Sequence, residues 1–167
     1  MFVTLLLAGA VATDEAVSLR HGPVAVPAER VAAVARVQAA STAAAGIPYG
    51  AVEWRQPYDP ADHAPYAFDF SALFDDGEKI ADILALRLSS AAAALGITVD
   101  TAAQYSPMID DGAGVLAQVW FLVSEGQQDS SSFSAAGVRV PVTMQVETDA
   151  NPPKVYERTA VLPVRQL

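Results

Sequence analysis

The residues able to do chemistry in this chain are few. Cysteine is absent and the histidines number two, His21 and His63. Without a thiol there is no disulfide, no thiolate metal site and no cysteine nucleophile. Asp59, Asp62 and His63 fall together in "DPADH", but their spacing is not that of a metal-ligand pair on one helix face or in a ligand loop, and a solvated segment is the simpler reading. Hard-oxygen groups occur in "DDGE" (Asp75, Asp76, Glu78) and in "DDG" (Asp110, Asp111). They lack the ordered ligand positions of a calcium loop, whereas Asp beside Gly is ordinary turn chemistry. The serines of "DSSSFS" sit in no nucleophile elbow and have no histidine close in sequence. No glycine-rich phosphate loop with a following lysine occurs. Acid–base catalysis needs carboxylates that converge across a cleft with shifted pKa values, and neighbouring aspartates in turns do not supply that. The expectation is a protein that is not an enzyme and has no cofactor and no metal.

Charge narrows the partners. The net charge is −9, which argues against nucleic acid, because phosphate neutralisation needs clustered Lys and Arg. Residues 1–55 balance Arg20, Arg30, Arg36 and Arg55 against Asp14, Glu15, Glu29 and Glu53, so the whole imbalance lies in 56–167. Hydrophobic residues make up 52% of the chain and mean hydropathy is +0.27. The excess is largely Ala and Val, as suits buried subunit contacts or simple alanine richness. "MFVTLLLAGAVATDE" superficially resembles a signal peptide, with Ala10-Val11-Ala12 as a cleavage-like triplet, but no Lys or Arg precedes its apolar run. The run is too short to span a bilayer. It reads as a strand or a docking arm, with no membrane partner.

The elements follow from periodicity. Val24 to Val26 reads as a short extended piece between prolines. "PAERVAAVARVQAASTAAAG" predicts a helix, with Pro27 in its first turn, Glu29 on the positive end of the dipole and Gly46 as its stop. Val31 and Val34 would lie on its apolar stripe. The proline-dense stretch that follows reads as a linker, so the expected organisation is an arm and Ala-rich helix over 1–55, a Pro-rich linker over 56–65 and a β domain over 66–167. In that domain Tyr66, Phe68 and Phe70 alternate as one buried strand face. "GVLAQVWFLVSEG" is apolar on both faces, as in a central strand. "GVRVPVTMQVET" alternates with Val138, Val140, Val142, Met144 and Val146 inward, and Pro141 suggests an edge or bulge. "KVYERTAVLPV" follows across the turn "DANPP", making a hairpin. Residues 80–95 fit a helix and a strand equally well. Counted as a strand, the segment brings the total to about seven, the number in an immunoglobulin-like sandwich.

Tyr66, Phe68, Asp69, Phe70, Leu73, Asp76, Gly77 and Ile80, with "VWFLVSEG" (Val119 to Gly126) and "YERTAVLPV" (Tyr156 to Val164), resemble the fibre-tail adaptor proteins of tailed bacteriophages. The resemblance covers roughly 58–167. It departs at "EGQQDSSSFSAAG", where the family has a tight glycine turn. It implies an Ig-like antiparallel β-sandwich in a virion tail or neck, assembled in the host cytoplasm, with other virion proteins and copies of itself as partners. The runner-up is a bacterial Ig-like partner- or ligand-binding module, exported if the opening run is a leader. Sandwich edges accept strands from other chains. The residues expected to meet partners are therefore Phe2, Val3, Leu5 and Leu6 of the arm, Val31 and Val34 of the helix, Trp54 of the linker and Phe133 of the serine loop. The arm is compatible with docking on its own chain or on a neighbour.

Overall fold

A computed structural model describes residues 22–39 and 46–167. In chain order they form β1 (Val31–Ala33), β2 (Val52–Glu53), β3 (Pro65–Asp69), β4 (Ile80–Leu88), α1 (Ser90–Ala94), β5 (Ile97–Val99), β6 (Met108–Ile109), β7 (Leu116–Val123), β8 (Val138–Thr148) and β9 (Val155–Val164). One sheet runs β1-β3-β7-β5, with β6 also on β7, and the other runs β2-β9-β8-β4. This is the mainly-β sandwich with one helix that the alternating sequence predicts. On β8, Val140, Val142, Met144 and Val146 point into the core at 3% exposure or less. They face Tyr66, Phe68, Ala117, Val119 and Phe121 of the first sheet in one cluster. β8 and β9 form the expected hairpin, paired from Val138↔Val164 to Glu147↔Val155. Pro141 sits one residue outside the end of the β4 pairing at Leu88↔Val142, where a missing amide proton is tolerated.

The ambiguous stretch is both things. Ile80 to Leu88 is an edge strand with two register irregularities against β8, and the alanines after it make a single helical turn. The Ser89 side chain accepts from the Ala92 amide at 3.3 Å, a serine N-cap satisfying one of the turn's orphan donors. Gly96, at φ +72, then turns the chain into β5.

The N-terminal third departs from the sequence expectation. In place of the expected helix over 27–46, the described residues hold one 3-10 turn at Ala28–Arg30 and β1 at Val31–Ala33; residues 40–45 of that expectation lie outside the described residues. Ala32 and Val34 alternate inward, both 1% exposed, and β1 pairs in parallel with β3. Alanine's helix propensity is a weak prior. Here it yields to a tertiary edge that pairs the backbone and buries a β-branched face. The linker expectation also fails. β2 pairs in parallel with β9, and Trp54 and Tyr58 are each 1% exposed. Residues 24–39 and 46–65 thus pack with the sandwich, the expected 56–65 linker among them.

Trp54 ties the two sheets. Reached from β2 in one sheet, its ring meets Tyr66, Phe68 and Phe121 of the other edge-on, at centroid distances of 5.8, 5.0 and 6.1 Å. Edge-to-face geometry suits the ring quadrupoles. Its indole N–H donates to the Ala67 carbonyl at 2.9 Å. Trp54→Ala is expected to cost about 3–5 kcal/mol, read as a lower urea midpoint at an unchanged slope. A cost below about 0.5 kcal/mol, the size of a surface change, would instead mark this segment as a detachable linker.

Candidate functional site

The acidic motifs are engaged with the backbone. Asp59 accepts from the Ala61 amide at 2.9 Å and the Leu167 amide at 2.7 Å. Asp110 accepts from Leu116 at 2.8 Å, Gly112 at 3.2 Å and Gly114 at 3.4 Å. Both carboxylates hold loops together as Asx turns do. Among the described residues no group of three or more His, Cys, Asp or Glu side chains is arranged to hold a metal ion. Nor is any helix among them long and apolar enough to cross a membrane.

In the Asp75–Glu78 turn, Lys154 donates to Asp75 at 2.6 Å and to Glu78 at 2.9 Å. The Glu78 side chain is 5% exposed. The Asp75 amide, then the Thr148 hydroxyl and Lys154, bring its carboxyl down to about 2 against the opposing effect of burial. The same carboxylates raise the Lys154 ammonium. The arrangement fastens the β3–β4 connection to the β8–β9 hairpin. Two tyrosines are similarly structural. Tyr58 Oη lies 2.8 Å from the Phe121 carbonyl oxygen, and burial pushes its pKa up. Burial raises Tyr66 to about 12.

His63 joins a cluster that its sequence neighbours did not announce. Its Nε2 lies 3.0 Å from Asp100 Oδ2, and Asp100 also accepts from the Ala102 amide at 2.8 Å. The imidazole meets Tyr105 at 4.4 Å and Trp120 at 5.0 Å between centroids. The pairing spans 37 positions, too far for any local motif to signal it.

A lateral cleft of about 650 Å³ lies between the sheet edges, lined chiefly by Val26, Val31, Ala33, Val52 and Leu116, with Glu53, Arg55 and Asp69 among its polar residues. Alternation sets this lining. Val31 and Ala33 share a face with their partners Ala67 and Asp69, away from the core residue Ala32 between them. β1 and β2 are the terminal strands of their sheets. In a parallel ladder alternate residues serve one neighbour. Because the Val34 amide donates to Asp69 (2.9 Å) and the Trp54 amide to Val161 (3.1 Å), the backbone groups of Ala33 and Glu53 point away from β3 and β9. Neither has another backbone partner among the described residues.

The residues expected to meet partners are dispersed. Val31 lines this cleft. Val34, Trp54 and Phe133, at 1%, 1% and 0% exposure, are core residues of their own sandwich, so their side chains offer no surface. Phe133 also holds the serine loop in place, since its carbonyl accepts from Gln166 at 2.9 Å. Phe2, Val3, Leu5 and Leu6 lie outside the described residues. Val26, Val52 and Leu116 escaped the sequence reading as a set because they come from a coil segment, a two-residue strand and the start of β7, and periodicity within a segment does not reveal a cleft shared between segments.

Compared with protein-family models, curated proteins and solved structures, the chain matches none.

The Glu78 geometry has a pH consequence. A carboxylate held below its ordinary value of 4.5 stabilises the fold fully above that value and progressively less as pH falls towards 2. Glu78→Gln is expected to lower the urea midpoint at pH 7 and to approach the parent protein's midpoint near pH 2. A difference independent of pH would assign the effect to packing alone.

Proposed function

We propose that the chain is a non-enzymatic assembly module, a structural virion protein of a tailed bacteriophage that joins tail or neck components, fibres among them, and copies of itself. The observation that carries this reading is the lateral cleft, where two short edge strands present backbone groups without a backbone partner among the described residues, beside a largely apolar lining. Such edges are what strand addition from another chain uses, with main-chain hydrogen bonds giving affinity and side-chain seats giving specificity. The uncharged run Phe2 to Ala12 is a suitable donor. The acidic excess over 56–167 keeps other faces from associating. The resemblance of 58–167 to fibre-tail adaptors directs the module to a virion, with assembly in the host cytoplasm.

A second reading, a bacterial partner- or ligand-binding module, draws on the His63, Tyr105 and Trp120 rings around Asp100. Aromatic rings with a polar handle are common recognition surfaces.

The two readings differ in where the protein is found. In gradient-purified phage particles from the organism that encodes it, mass spectrometry is expected to detect the chain, and immunogold labelling to mark the tail or neck. Recovery only from the medium, free of particles and with an N-terminus near Thr13, would establish the second reading instead.

A further inference from the structure

The lateral cleft has a shape and position that identify its occupant. A strand residue within a packed sheet takes up roughly 160 Å³, from a rise of about 3.3 Å, a strand spacing of about 4.8 Å and a sheet separation of about 10 Å. A cleft of about 650 Å³ therefore has room for about four residues of extended chain. The small side chains of Ala28, Ala32 and Ala33 line it and leave that room. The backbone groups of Ala33 and Glu53, which have no other backbone partner among the described residues, flank it. Its charged residues come from edge and loop positions, while Val26, Val31, Val52 and Leu116 make it apolar. An occupant needs a short uncharged stretch that favours extended structure, which within residues 1–21 describes Phe2 to Leu7.

Towards its N-terminus the described chain leaves the cleft. Val26 lines the cleft with Leu116. Two residues nearer the N-terminus, Val24 is clasped by Gln118, whose side chain accepts from the Val24 amide at 3.1 Å and donates to its carbonyl at 2.6 Å. From Val26 to Val24 the chain thus advances from Leu116 to Gln118 along the outer face of β7, away from the cleft. Residues 1–21 extend to about 70 Å, ample to reach a neighbouring molecule.

We infer that the cleft between β1 and β2 receives a strand of about four residues from within Phe2 to Leu7 of a second copy of this chain, added at the sandwich edge. The inference rests on the assembly reading above and specifies its contact.

Two full-length variants test it. Leu5→Asp/Leu6→Asp disables the donor and leaves the cleft. Ala33→Trp fills the cleft from an exposed position and leaves the donor. The parent chain is expected to show at least twice the 17.5 kDa of a monomer by light scattering, and each variant alone the monomer mass. An equimolar mixture should give a 1:1 dimer, because the intact arm of one meets the intact cleft of the other. Ala28→Trp provides a second filled cleft should Ala33→Trp alter the urea midpoint. An oligomer that persists in both filled variants would overturn the inference while leaving self-assembly intact. A monomeric parent, or a mixture that stays monomeric, would overturn donation between copies. In either case the particle experiment still decides the virion reading separately.

Discussion

Trp54 follows a strand of two residues, yet its ring packs against three aromatic side chains of the opposite sheet and its N–H reaches the Ala67 carbonyl. That contact makes the N-terminal third part of the sandwich. With Trp54 anchored, β2 is held on β9, and the chain that follows stays close enough for the Tyr58 amide to donate to Pro163 at 2.8 Å. The Tyr58 ring then adds to the same cluster through Tyr66 and Phe121. Buried aromatic area and well-placed polar atoms act together here, since an indole N–H without an acceptor would itself be costly in the core.

Around that anchor, side chains finish what short strands leave undone. Gln38 donates to the Thr159 carbonyl at 2.7 Å and accepts its amide at 3.0 Å, just beyond the stretch where β2 pairs with β9. Gln118 does the same for Val24. A primary amide carries the donor and acceptor of a peptide group, so each glutamine stands in for a residue of a strand. Arg158 fastens the intervening segment through the carbonyls of Ala35 and Arg36 at 2.9 and 2.7 Å. These devices satisfy buried backbone without regular pairing. The acidic turns act likewise, Asp59 and Asp110 accepting from loop amides.

The same economy of pairing leaves the sandwich open at one side. β1 and β2 each cover a neighbour and expose an outer edge of their own, and the edges approach across an apolar cleft. Natural sheets usually shield such edges with charge, irregularity or brevity. Long β4 shows the first two, with Asp82, Arg87 and two register irregularities. β1 and β2 are kept to three and two residues, a brevity that limits indiscriminate association. Gly137 closes the far side of the molecule tightly. At φ +66, with the position of a Cβ only 2.2 Å from the Val164 carbonyl oxygen, it brings the serine loop against β9 as no other residue can.

The sequence alone determined the sandwich. Period-two alternation in β3, β7, β8 and β9 depends on which residues face the core, and that pattern is written locally wherever a strand is long enough. It also determined that Asp75-Asp76-Gly77 is a turn, because Gly77 takes a φ of +79 that glycine favours. Only the tertiary structure decided that Val31–Ala33 is an edge strand, that Trp54 and Phe133 belong inside, and that His63 meets Asp100. Local propensity there is weaker than the gain from burying Ala32 and Val34 beside β3, and no spacing within a segment records a partner dozens of residues away. The cleft was beyond sequence reading for the same reason, since its lining comes from separate segments that meet only when both sheets have formed.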